Sequence, residues 1–345
     1  MRLFHFCVLA RRWLTVAAIM LASGGCWTSS GPEVVVYAAL DAEFSRPILR
    51  EFTASTGVKA LPKFDTESTK TVGLAEAIIA ESARPRCDVF WNNEILHTLR
   101  LQELGLLDTY QPPTAEEYPA MYRAIDGVWH GFAARARILI VNRARVPEDE
   151  RPSSIDDLTD PKWKDQVAIA KPLFGTTATH AACLFEAWGD EKAEDFFARL
   201  KENARIESGN KQVAQAVSAG QLAFGLTDTD DAIVEVEKGM DVVIVYPDQQ
   251  PDGLGTLFIP NTLSIIKDCP HPKAARELVD FLLRPRIEEQ LARGRSAQIS
   301  LHPNAVGTNR VESPATVRAM QADFMAAANR WDEVAQYLRE LFTVD

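Results

Sequence analysis

Along this chain, short β-branched runs alternate with segments whose apolar residues recur at helical spacing, which predicts a succession of strands and helices. Glu33 to Ala39 (EVVVYAA) reads as a buried parallel strand. Asp41 then stands where a helix bearing Phe44, Ile48, Leu49 and Phe52 on one face would begin. Thr56-Gly57 closes that helix. Val58 to Phe64 and Cys87 to Trp91 (CDVFW) are the next strands, with helices over Thr71 to Ala83 and Glu94 to Leu104. Three β-α units in succession predict a parallel sheet flanked by helices.

The rhythm breaks at Val128 to Val141 (VWHGFAARARILIV), a long extended stretch read as the strand that leaves a first lobe and enters a second. Beyond it come the strands Val167 to Ala170, Leu222 to Leu226 and Val242 to Val245. Helices lie between them over Thr177 to Trp188, Lys192 to Asn203, Lys211 to Ala219 and Asp230 to Lys238. Asp252 to Gly255 is a flexible return; a strand over Thr262 to Ile266 and helices from Pro272 onward follow. The expected organisation is α/β with two discontinuous lobes. Residues 33–135 with 255–310 form the first, residues 136–254 with 311–345 the second, and a ligand cleft lies between them.

The N-terminus adds a location. Arg2, Arg11 and Arg12 precede the apolar run Trp13 to Ala22, and Ser23-Gly24-Gly25-Cys26 follows, the layout of an export signal over residues 1–26. A Cys after small residues resembles the bacterial lipoprotein signal and makes Cys26 the candidate lipidated residue; a plain secretory peptide cut nearby is the other reading. Residues 27–32 (WTSSGP) then form a short polar tether at a membrane surface. No later stretch is long and apolar enough to span a bilayer.

Composition narrows the partners. The chain of 345 residues carries 48 acidic against 37 basic residues, a net charge of −11, so no basic face for nucleic acid is expected. The Gly and Pro residues show no repeat period that would signal a solenoid. With Cys7 in the signal and Cys26 set aside, Cys87, Cys183 and Cys269 allow one disulfide at most, in any of three pairings. Their spacing is not that of a metal site, and buried small apolar residues is the reading that fits them.

Five segments in order carry a resemblance: the VxVY strand entering a helix, CDVFWNNEI (Cys87 to Ile95), ARARILIVNR (Ala134 to Arg143), DPKWKDQVAIAKPLFGTTATH (Asp160 to His180) and IIKDCPHPKAARELVDFLL (Ile265 to Leu283). Together they are similar to the ferric-ion-type periplasmic solute-binding proteins of ATP-driven (ABC) importers. That resemblance implies a monomer of two lobes closing on a ligand by hinge bending, delivery to membrane permease subunits, and no reaction performed. It also implies ferric iron, alone or with a synergistic anion, as the transported ligand, with no resident cofactor.

The family's iron-binding His falls on Asp41, its Glu on Asn93 with Glu94 beside it, and its paired Tyr on Asp230 and Asp231. The phenolates are therefore replaced by carboxylates, which suit a hard cation such as Fe(III) or Ca²⁺ and equally an organic ammonium. Asp41, Glu94, Asp230 and Asp231 are the candidate metal ligands. Gly175-Thr176-Thr177 at a helix start is a candidate anion site, supported by Asn210 and by Arg135, which shares a strand face with Arg137. Thr69, in the hydroxyl-rich turn Thr66 to Thr71, is placed to face the cleft. Tyr37 and Trp91 are candidate aromatic contacts.

Two alternatives stay open. A small organic anion bearing a cationic group, such as an amino-phosphonate, fits an acidic floor with an anion-holding rim. Asp228-Thr229-Asp230 after an apolar strand also resembles the DxD turn of haloacid-dehalogenase-type phosphatases. A serine hydrolase lacks its GxSxG elbow here. Capping alone would account for Asp41, Thr176, Thr177 and Asp228 at their helix starts.

Overall fold

The structure is a computed structural model that describes residues 31–65, 72–306, 308 and 310–343. Thr69 and Cys26 lie outside the described residues, as does the export signal. No helix among the described residues is long and apolar enough to cross a membrane.

Three parallel strands open the fold: β1 (Glu33–Ala38), β2 (Lys59–Phe64) and β3 (Val89–Asn92), ordered β2-β1-β3. The helices α1 (Ala42–Thr56), α2 (Val72–Ala80) and α3 (Leu96–Glu103) follow them in turn. Each forms where expected because one face is apolar: α1 buries Ile48, Leu49 and Phe52. It ends at Gly57, whose left-handed φ of 75° lets its N–H return to Thr53 O at 3.0 Å. A two-residue strand, β4 (Leu107–Asp108), precedes the long strand β5 (His130–Asn142).

Every residue of β5 is buried, and the strand serves both halves of the sheet. Its first part, to Ala136, pairs antiparallel with β10 (Phe258–Ile266), which in turn pairs with β3. From Arg137 onward it pairs antiparallel with β8 (Phe224–Asp228) and β9 (Val242–Val245). The second half is completed by β6 (Val167–Ala170) and β7 (Arg205–Glu207), parallel to each other, with β6 parallel to β8. The long stretch read from sequence is thus one strand crossing between two half-sheets. β7 was hidden in sequence because two of its three residues are exposed.

Helices α4 (Gly175–Trp188), α5 (Asp190–Asn203), α6 (Asn210–Ser218) and α7 (Thr229–Glu237) flank the second half. α8 (Pro272–Leu282) and α9 (Pro285–Arg293) return to the first, where Phe281 packs edge-on to Phe52 at 5.4 Å. At the C-terminus α10 (Phe324–Asn329) packs against both α3 and α4, and α11 (Trp331–Thr343) against α4 and α5.

The crossing is irregular where the two halves meet. Ala133 on β5 holds a left-handed φ of 43°, and the β5-β10 register shifts between Pro260 and Asn261. Two polar side chains absorb the backbone groups this frees. Asn261 Nδ2 donates to the carbonyls of Ala133 and Phe132, while the buried Glu288 carboxylate accepts the N–H of Ala133 at 2.5 Å.

Candidate functional site

Several strands end, and helices begin, along one line where the half-sheets meet. Asp41 follows β1, Asn93 follows β3, Gly175-Thr176 opens α4 after β6, Asn210 opens α6 after β7, and Asp228 ends β8 at the start of α7. These residues, with Arg135, Asp230 and Asp231, line one small cavity of about 40 Å³. The carboxyl ends of parallel strands are where an open α/β sheet leaves a crevice, and free helix N–H groups point into it. Lys171, Phe174, Ser208 and Gly209 complete the second-half wall.

Under the floor lies a buried ion pair. Arg137 is fully enclosed, and its Nη1 donates to Asp228 Oδ1 at 2.6 Å, Asn210 Oδ1 at 3.0 Å and Thr176 Oγ1 at 3.3 Å; Nη2 reaches Thr177 Oγ1 at 3.3 Å. The other Asp228 oxygen accepts from Thr176 Oγ1 at 2.5 Å and Asn210 Nδ2 at 3.0 Å. One charged network therefore fixes the hydroxyl and amide groups read as an anion rim. Asp228 thus lines the cavity while it is also held by Arg137.

The acidic face belongs to its neighbours. One oxygen each of Asp228, Asp230 and Asp231 lies within 4.8 Å of the others, close enough to share a cation. Arg135 reaches across: its Nη2 donates to Asn261 Oδ1 in β10 at 3.2 Å, and its Nε lies 3.5 Å from Asp230 Oδ2. The spacing-of-two rule correctly put Arg135 and Arg137 on one face, but Arg135 lines the cavity while Arg137 lies beneath it. Asp41 and Asp228 occupy helix starts without a side-chain capping bond, so capping does not explain them.

Three sequence candidates are drawn elsewhere. Tyr37 sits on β1 with its hydroxyl donating to Glu81 Oε2 at 2.8 Å and Lys63 over its ring; burial, and then Glu81, push its phenol well above the usual range. Trp91 is fully buried, 5.6 Å from the ring of Phe132, as core. Glu94 is saturated: it accepts from Asn92 Nδ2, Leu96 N, His97 N and Thr179 Oγ1, at 2.5 to 3.1 Å. With those four bonds in a fully buried setting it braces the start of α3 against α4 and is not among the cavity's carboxylates.

Sequence reasoning passed over Lys171 and Ser208. Lys171 immediately follows the buried run VAIA of β6, and a cation directly after such a strand, at the sheet's carboxyl edge, is a usable signal. Also unforeseen was His180, one turn into α4. Burial foremost, and then the nearby Arg137 charge, lower its pKa well below the ordinary value of 6.5 and keep it neutral.

Residues 97–328 match the family described as bacterial extracellular solute-binding protein. The iron uptake protein A1 of Synechocystis is 27% identical over 271 residues, 75% of this chain and 73% of that protein. Iron-bound HitA from Pseudomonas aeruginosa superposes with a TM-score of 0.81 at 23% identity, covering 90% of this chain and 99% of HitA. The periplasmic binding protein AfuA of Actinobacillus pleuropneumoniae, with fructose-6-phosphate bound, gives the same TM-score at 22% identity, covering 92% and 100%. At such identities these structures share the two-lobe periplasmic-binding-protein fold with this chain.

Proposed function

This chain belongs to the bacterial extracellular solute-binding proteins, and from that premise we propose that it captures iron(III) or an iron-anion complex between its lobes for an ABC importer. It works outside the cytoplasm as a binding protein, and we place it on the membrane through a lipidated Cys26, as a monomer that hands its ligand to permease subunits. The lobes are taken as residues 33–135 with 255–310 and 136–254 with 311–345.

The observation that carries this reading is the grouping of Asp228, Asp230 and Asp231 within 4.8 Å at a cavity of only about 40 Å³. That space suits an ion with a compact anion rather than a sugar-sized molecule, since drug-sized ligands occupy pockets of about 300 Å³ or more. Asp230 and Asp231 would supply hard oxygen donors, with Asp41 and Asn93 meeting the ion from the opposite wall. The anion would rest against the Gly175-Thr176-Thr177 helix start, close to Arg135 and Lys171. Arg137 already bonds Asp228 and Arg135 lies 3.5 Å from Asp230, so these carboxylates would meet the ion as part of a mixed-charge wall and not as a bare acidic cluster.

Titrating the purified protein with Fe(III)-citrate and following intrinsic Trp fluorescence tests this. The Asp230→Asn/Asp231→Asn double variant should bind more weakly by about tenfold or more, about 1.4 kcal/mol, with only a modest fall in its ligand-free melting temperature from the lost Asp230–Arg135 pair. Equal affinity in the variant would remove these carboxylates from the site. A second reading, a small organic anion with a cationic group, draws on the replaced tyrosine pair and on the sugar-phosphate bound to AfuA. Mass spectrometry of the natively purified protein separates the two: iron in one case, a metal-free organic mass in the other.

A further inference from the structure

Three cysteines lie among the described residues, Cys87, Cys183 and Cys269, all buried and all present as thiols. The topology distinguishes among the pairings that sequence left open. Cys87 precedes β3, Cys269 follows β10, and these antiparallel strands share an end: Val89 faces Ile265, and Ile266 N donates to Asp88 O at 3.0 Å. The chain then reverses. Cys269 N donates to Ile266 O at 3.2 Å, with Asp268 at a left-handed φ of 55°.

That turn folds Cys269 back toward Asp88. The Asp88 carboxylate accepts His271 N at 2.8 Å on Oδ1, and His271 Nδ1 lies 2.9 Å from Oδ2. Residues on both sides of Cys269, Ile266 and His271, are therefore bonded to Asp88, the residue directly after Cys87. Burial pushes both thiols up, and the nearby Asp88 charge adds to the rise in each. Cys183 is on α4, which packs with α5, α10 and α11, away from this corner.

We propose that Cys87 and Cys269 are joined by a disulfide in the exported protein. A thiolate of one attacks a disulfide oxidant, of protein or small-molecule class, forming a mixed disulfide and releasing one thiol. The second cysteine's thiolate then displaces the remaining oxidant sulfur, so two protons and two electrons leave with an oxidant now reduced to two thiols. An extracytoplasmic compartment supports this chemistry. The bond links the arm of the chain that builds β1 to β3 with the arm that returns as β10, fastening a half-sheet made from two distant segments. This inference is independent of which ligand the cleft holds.

The test is peptide mapping of the full chain, exported to an oxidising periplasm and purified without reductant. The denatured protein is alkylated before and after reduction. Of the three cysteines, only Cys183 should be alkylated before reduction, and a peptide pair joining Cys87 to Cys269 should be found and lost on reduction. Dithiothreitol should lower the melting temperature of the wild type and leave that of Cys87→Ala/Cys269→Ala unmoved. If that double variant fails to fold, a Cys183→Ser chain gives the same mapping result with one pair only. Alkylation of all three thiols without reduction, or a link that includes Cys183, would overturn the proposal.

Discussion

Arg135 and Arg137 differ in what their charge is for, although two residues apart on one strand. Arg137 is wholly enclosed with Asp228, Thr176, Thr177 and Asn210, so its removal leaves a buried carboxylate uncompensated. Arg137→Ala should lower unfolding free energy by about 3–5 kcal/mol in urea titration, ligand or not. Arg135 is held at 3.5 Å by Asp230 and faces the cavity. Arg135→Ala should chiefly weaken binding of the iron-anion complex, seen as a raised Kd with a smaller loss in the ligand-free urea midpoint. If Arg137→Ala proved neutral and Arg135→Ala unfolded the chain, the division between floor and wall drawn above would be wrong. Alternation along the strand could say that both arginines share a face; depth below that face depends on β8, whose Asp228 is 91 residues away.

Among the elements, β5 does most to join one half of the molecule to the other, and its kink depends on one side chain from α9. Glu288 accepts the N–H groups of Ala133, Leu301 and His302, and is buried. Glu288→Ala would leave those three donors without an acceptor, each costing about 1–3 kcal/mol where water cannot replace it. The measurable outcome is a lowered melting temperature and weaker ligand binding together, because the crossing strand sets how the two halves meet. Glu288→Gln, which keeps one acceptor oxygen, should recover part of both. The run VAIA was legible as a strand because its burial on both faces shows as continuous apolar sequence, and EVVVYAA because it is β-branched with its second half buried. The Ala133 kink and the register shift at Pro260/Asn261 were not, because each is set by partners distant in sequence. The same limit misplaced Tyr37 and Glu94: strand ends were assigned to the cleft correctly, but Glu81 and Thr179 pull those two side chains away from it.

At the scale of the whole molecule, a two-lobe receptor is stabilised by its ligand and weakened by acid, and the two effects can be read separately. Ligand at 100 times its Kd should add about 2.7 kcal/mol to stability. Acid acts through His97, His130 and His180, which are buried in both halves and whose pKa values burial lowers from 6.5. A base with a depressed native pKa takes up protons more readily when unfolded. Its contribution is therefore complete above about pH 6.5 and declines as pH falls below that value. Between pH 6.5 and 5.5 each such histidine costs about 1 kcal/mol if it stays neutral in the fold. Glu288, a carboxyl whose pKa burial raises, works in the opposite sense, adding stability as pH falls through its raised native pKa toward 4.5, so the histidine part is read from the difference between wild type and His180→Gln. Urea unfolding of the ligand-free protein should show stability falling over that interval, and His180→Gln should show a shallower fall. A flat profile would mean that these rings carry their protons in the native state, and the neutral His180 described beside Arg137 would have to be abandoned.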